Sequence, residues 1–453
     1  MQERFTKYAE QGVSADELAS LFLKEYFAEK ELVFPINPFQ MLSDLQVPFI
    51  MRPFRKYEGI YIPSEGADDF SVVGINLKRP ITRQRFTAAH ELCHHLKDSN
   101  NSYMCTLNGQ IEKYAERFAA ELLMPLKEFR TEVDRYLVDG YIGFDDVLKV
   151  AEHFGVSFDA CLNRIAYQLH MIEGDISPES LKKRKKNFKP DNRRKEMGLS
   201  YILLYEQLFD AIGDRFDIAP TAFACQKFKN EYVFYDSRME GVDIEQELAS
   251  EIVMDIRHNK QESEYCIIDN QNIIEVAGLT IAYDYAFENS TAEINIYDAK
   301  HINEELFSTA PCPEYGGTYR QNNALVIGAK FETVDYHDIQ QQMYLLDKDV
   351  QALLESADSL SNSEYVEWIV KIHHRMTVIH PFRDGNGRTS RAFSNMLLLR
   401  RHMPPIFFRD KEKSEYKNAL STADTTENFE KLYEVFYKGL LASNAVLSDC
   451  ILS

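Results

Sequence analysis

The sequence has no stretch of about eighteen consecutive apolar residues, so a membrane-spanning helix is not expected. The charged start MQERFTKYAEQG lacks the apolar core of a signal peptide. A soluble, cytoplasmic protein without a membrane partner is the expectation. No pair of cysteines has CxxC spacing, and the total of 7 is odd, which argues against a disulfide framework or a zinc knuckle. Positive charge is also scarce: 51 basic side chains face 71 acidic ones, a net charge of −20 that opposes general attraction to nucleic acid. What is present is a long chain of 453 residues with 45% hydrophobic content, enough for about two or three packed domains.

One segment breaks the acidic trend. LKKRKKNFKPDNRRK, Leu181 to Lys195, sets nine Lys or Arg against Asp191. With almost nothing apolar to bury, it reads as a solvated linker between domains. Before it, Ser14 and Glu17 have capping-box spacing ahead of an amphipathic helix. The runs VPFIMRPF, GIYIP and SVVGINL then suit strands of a small antiparallel sheet. ITRQRFTAAHELCHHLKD follows as a helix, and on it His90 and His94 lie four apart on one face beside Glu91. Two imidazoles and one more protein ligand would hold Zn²⁺, leaving a position for a water that Glu91 deprotonates. In the next helical stretch, GQIEKYAERFAAELLMP, Glu112 and Glu116 are one turn apart and either can reach back to the ion.

RQRFTAAHELCHHL followed by IEKYAERFAAELLMP resembles the ImmA/IrrE family of zinc metallopeptidases. The resemblance implies a zincin-like α+β domain over residues 1–175, with His90, His94 and Glu112 as zinc ligands and Glu91 as general base. Glu116 is the rival ligand. The sequence has Cys93 where that family usually has glycine, and Glu116 where it usually has asparagine. A repressor or antitoxin is the partner such a domain would cleave. Helical patterns on either side of Gly155-Val156-Ser157 resemble the helix-turn-helix-like end of the family, and their acidic flanks favour packing or partner docking over DNA reading.

From about Leu199 onward, helical periodicity dominates. HPFRDGNGRTSR, His380 to Arg391, falls between two such helices. A helix N-terminus with Gly385 and Gly387 offers bare backbone amides to an anion, and Arg388 and Arg391, three apart, add two guanidinium groups. Asp384 can hold Mg²⁺, Asn386 can donate to a phosphoryl oxygen, and a neutral His380 can take a proton from an attacking hydroxyl. The stretch matches the Fic family signature HPFx(D/E)GNGRxxR at every fixed position. That resemblance implies transfer of AMP from ATP to a Ser, Thr or Tyr hydroxyl of a target protein. His380 would be the base, Phe382 the loop anchor, Asp384 the magnesium ligand, and Gly385, Asn386, Gly387, Arg388 and Arg391 the nucleotide-binding set.

Two further pieces are similar to the same family. GGTYRQNNALVIGAKFE, Gly316 to Glu332, suits a hairpin flap that aligns a target by strand addition. YDSRMEGVDIE resembles the inhibitory motif (S/T)xxxE(G/N), with Glu240 and Gly241 in the key places and Asp236 where Ser or Thr is usual; the resemblance implies that Glu240 blocks Arg391. The expected layout is therefore a multidomain chain: a metallopeptidase-like domain at 1–175, a basic linker at 176–198 and a mainly α-helical Fic domain with a β-hairpin flap at 199–453. Two alternatives stay open. The Fic site could remove AMP instead of adding it, or the N-terminal half could be a docking module that does not cleave. Self-association into a homo-oligomer is also left open.

Overall fold

The computed structural model describes residues 2–64, 70–98, 109–213, 222–259, 262–325 and 332–451. They divide into two compact units, Met1–Ile212 and Gly213–Ser453.

The first unit is α+β. Its three strands, β1 (Phe49–Arg52), β2 (Gly59–Ile62) and β3 (Val72–Asn76), fall in the three apolar runs, but the sheet is mixed rather than antiparallel. β3 lies between the others, parallel to β1 with Phe49 opposite Val73, and antiparallel to β2 with Gly59 opposite Ile75. The central strand is the most buried of the three: Val73 and Ile75 are fully enclosed, and only Val72 of its five residues is partly exposed. The helix Ile81–Lys97 packs against this sheet and against the helix Gly109–Leu123, burying Ala88, Ala89, Leu92, Cys93 and Leu96.

The basic stretch is not a free linker. It forms two helices, Pro178–Phe188 and Pro190–Glu196. Phe188 stacks on Phe158 with ring centroids 5.5 Å apart, and Arg193 makes two 2.8 Å bonds to Asp145. Lys185 pairs with Asp159. Part of the cationic run thus neutralises the acidic flanks of the two helices around Gly155. The next helix, Ile202–Ile212, also belongs to the first unit. Gln207 accepts from Arg85 at 2.6 Å and donates to Pro35 O at 2.7 Å, while Ser43 donates to Ala211 O at 2.8 Å. Arg85 is fully buried, and its guanidinium also donates to the Ile36 and Gly155 carbonyls. Apolar periodicity alone cannot tell which core a helix joins, so the boundary lies at Ile212 rather than near Leu199.

The second unit is helical. Around the buried helix Asn386–Arg400 it places the helices Ala222–Met239, Gln271–Glu288, Ile296–Phe307, Asn362–Ile379 and Glu430–Ile451. The tip of the expected flap, residues 326–331, lies outside the described residues. Its stem is tied by Thr333 Oγ1 to Ala324 O at 2.7 Å and by Tyr336 N to Asn323 Oδ1 at 2.9 Å. Among the described residues, no helix is long and apolar enough to cross a membrane.

Candidate functional site

Two chemically distinct centres occur, one in each unit. In the first, the four-residue spacing on helix Ile81–Lys97 brings His90 Nε2 and His94 Nε2 within 3.1 Å of each other. Glu112, from the neighbouring helix, places one carboxylate oxygen 3.2 Å from His90 Nε2 and the other 3.8 Å from His94 Nε2. Ligand atoms from these three residues all lie within 4.8 Å of one another. Glu116 is exposed and outside this group, and the buried Cys93 thiol is outside it too.

Two imidazoles and a carboxylate around one point are the donor set of a zinc site with an open position. The polar atoms left over fit that reading, because Glu91 Oε2 and Glu112 Oε1 are buried without a hydrogen-bond partner. Burial, with the charge of His94, pulls His90 down to about 3. It pushes Glu91 up to about 7, near a pH at which a carboxylate can accept a proton. At His94 burial is outweighed by the bond to Asp98 and by the nearby carboxylates, and its value rises. Asp98 Oδ2 sits 2.8 Å from His94 Nδ1 and fixes which ring nitrogen faces the centre. Sequence reasoning passed over Asp98; the signal was a carboxylate one helical turn beyond His94.

In the second unit, His380 closes the helix Asn362–Ile379 in a left-handed conformation, φ +50°, which turns the chain into the loop. Arg320 holds that turn, donating from Nε to His380 O at 2.8 Å and from its backbone to Pro381 O at 2.9 Å. Burial lowers the His380 imidazole below its ordinary value, leaving it neutral at pH 7. Phe382 is fully buried and forms a bridge with Tyr319. Asp384 is 73% exposed, at the mouth of the loop, and its Oδ1 accepts from Gly385 N at 2.6 Å.

Gly385 adopts φ +74° and starts the helix Asn386–Arg400, which has no side-chain cap; its first amides are left for an external anion. A Cβ at Gly387 would lie 2.9 Å from Glu240 Oε1 and 3.1 Å from Arg391 Nη1, so that glycine keeps the cradle open. Asn386 departs from expectation. Its Oδ1 accepts from Phe382 N at 2.8 Å and its Nδ2 donates to Phe382 O at 2.9 Å. The amide is thereby committed to bracing the loop rather than facing a phosphoryl oxygen. Asn303, which sequence reasoning missed, adds a second brace by donating to Asp384 O at 3.1 Å and to Thr389 Oγ1 at 3.0 Å.

Both arginines are engaged by acids. Arg388 Nη1 donates to Glu275 at 2.8 Å. Arg391 Nη2 donates to Glu240 Oε1 at 2.5 Å, while its Nε pairs with the buried Asp236. Burial raises Asp236 above its usual range although Arg391 opposes the rise, whereas at Glu240 Arg391 and Arg388 outweigh burial and the value falls. Glu275 carries no sequence signal. Asp236 does, lying four residues before Glu240 where the inhibitory motif usually has Ser or Thr.

Comparison with known proteins follows the same division. Residues 54–166 match the IrrE N-terminal-like domain, and residues 293–398 match the Fic/DOC family. The chain is 29% identical over 165 residues to the protein adenylyltransferase Fic of Drosophila willistoni, which is 35% of this chain and 30% of that protein. It is 31% identical over 160 residues to the protein adenylyltransferase Fic of Nematostella vectensis, which is 33% of this chain and 34% of that one. The chain thus spans about a third of the length of these curated relatives. Fic-1 of C. elegans superposes with a TM-score of 0.46 at 16% identity, covering 73% of this chain and 99% of that one.

Proposed function

We propose that the second unit is a protein adenylyltransferase that moves AMP from ATP to a Ser, Thr or Tyr hydroxyl on a target protein. One observation carries this reading: a neutral imidazole, an uncapped helix start and two guanidinium groups converge on one loop, with an exposed carboxylate at its mouth. The phosphates of ATP lie over the amides at Gly385 to Gly387, between Arg388 and Arg391. The target hydroxyl oxygen attacks the α-phosphorus. Its proton passes to the neutral ring of His380, the bond from the α-phosphorus to the bridging oxygen breaks, and pyrophosphate departs with the electron pair. The arginines hold the charge growing on that leaving group. Asp384 would hold Mg²⁺, which supplies charge neutralisation at the phosphate oxygens.

In this reading Glu240 keeps the enzyme idle, because its carboxylate takes the Arg391 edge that the outer phosphate needs. Glu240→Gly should raise self-modification with ATP and Mg²⁺ by about tenfold or more, the equivalent of one charge-assisted hydrogen bond. Unchanged incorporation of labelled AMP would sink the inhibitory role. The closeness of Glu240 to Gly387 also suits a second reading, in which the carboxylate orients a water that removes AMP from a modified protein. Loss of AMP release from a labelled target in the Glu240 variant would favour that direction.

For the first unit we propose a zinc metallopeptidase module acting on a partner protein. His90, His94 and Glu112 would hold Zn²⁺, which would supply Lewis-acid activation at that point, and Glu91 would accept the proton of the attacking water. Metal analysis of the purified chain should return about one zinc per chain. Glu91→Gln should abolish cleavage of the partner while keeping the metal; a chain that binds no zinc would make this unit a docking module.

A further inference from the structure

Arg391 is held by two carboxylates, and they are not equivalent. Asp236 lies within the last turn of the helix Ala222–Met239 and is 2% exposed. Glu240 lies just past that helix end, beside Gly241 at φ +94°, and its side chain is 34% exposed. Asp236 takes Nε, the nitrogen nearest the Arg391 stem, while Glu240 takes the outer Nη2. Arg391 Nη1 borders the place where a Gly387 side chain would stand, so the outer edge of the guanidinium faces the glycine loop. An incoming phosphate can therefore replace Glu240, which a local movement of the Gly241 turn releases. It cannot replace Asp236 without moving the whole helix.

We propose that Asp236 is a positioning residue: it fixes Arg391 from the closed side of the site, so that the outer guanidinium edge is aimed at the terminal phosphates of ATP once Glu240 withdraws. This rests on the nucleotide-site reading above. A buried guanidinium without a partner would swing toward the nearest carbonyl or carboxylate, since unpaired buried charge is costly. A Ser or Thr at this position could offer Nε only a neutral acceptor. Asp236 offers a full charge, and a charge-assisted bond is roughly twice as strong as a neutral one. The Oδ2 atom of Asp236 has no hydrogen-bond partner, so Arg391 is this carboxylate's hydrogen-bonding partner. The two acids thus have opposite duties, one occupying the phosphate position and the other shaping it.

The test uses the full chain and calorimetric binding of ATP and of AMP, each with Mg²⁺. Glu240→Gly should bind ATP more tightly than AMP, because only ATP reaches Arg391. Adding Asp236→Asn should weaken ATP binding about tenfold while AMP binding stays within about twofold, collapsing the preference. A merely structural role would lower both affinities together. Asp236→Ser in the same background should give the same loss and guards against a folding defect peculiar to the amide. A preserved ATP preference in the double variants overturns the proposal. So does Asp236→Asn alone if it raises self-modification toward the Glu240→Gly level, which would make Asp236 a second inhibitory acid. Failure of Glu240→Gly to bind either nucleotide removes the site itself and this role with it.

Discussion

His380 shows what a single side chain gains from its surroundings. Burial lowers its imidazole from the ordinary value of 6.5, so the proton-accepting form persists as pH falls through that value. In the Glu240→Gly background, the rate of AMP incorporation should stay level from pH 8 down to about 6.5 and drop only on further acidification. An inflection above pH 6.5, read from initial rates, would contradict a base in this environment. At this scale the sequence was most legible where a residue type has one chemical use at a given spacing, as with His90 and His94, whose ring nitrogens the structure brings within 3.1 Å. It was least legible for Asn386, whose amide serves a ligand or a backbone equally well, and for Glu275, which reaches Arg388 from 113 residues away.

Helices decide which of those side chains meet. The helix Ile81–Lys97 carries both imidazoles, and Asp98, which caps it one turn beyond His94, bonds His94 Nδ1 and leaves Nε2 facing the centre. Asp98→Asn keeps the size but removes the charge, and it should weaken zinc binding roughly tenfold to a hundredfold, measured by competition with a chelator. Equal zinc affinity would make the Asp98 contact incidental. The choice between Glu112 and Glu116 could not be made from helical spacing alone, since both fall within one turn of the same face. Packing separates the two in the structure: the buried Ala115, Phe118 and Ala119 set the rotation of the helix, which places Glu112 beside the two imidazoles and leaves Glu116 exposed. Strand positions were legible from apolar runs, but their order was not. Parallel pairing of β1 with β3 depends on contacts distant in sequence.

For the whole molecule, the position of the division between units is the part the sequence concealed. The helix Ile202–Ile212 reads like any other amphipathic segment, yet Leu204, Leu208 and Phe209 are buried in the first unit. A fragment ending at residue 212 should unfold cooperatively. One ending at 198 should lose at least about 3 kcal/mol, because several apolar side chains leave the core and the Arg85 network loses Gln207. Denaturant titration of the two fragments checks this, and equal midpoints would place the boundary earlier. The basic helices before that point have a different consequence. The pairs Arg193 with Asp145 and Lys185 with Asp159 are exposed at both ends, and in 1 M salt the screening length shrinks to about 3 Å. Ionic strength would then govern where trypsin first enters the chain: a lysine- and arginine-dense strap that is pinned at low salt becomes the earliest cut when the electrolyte is concentrated.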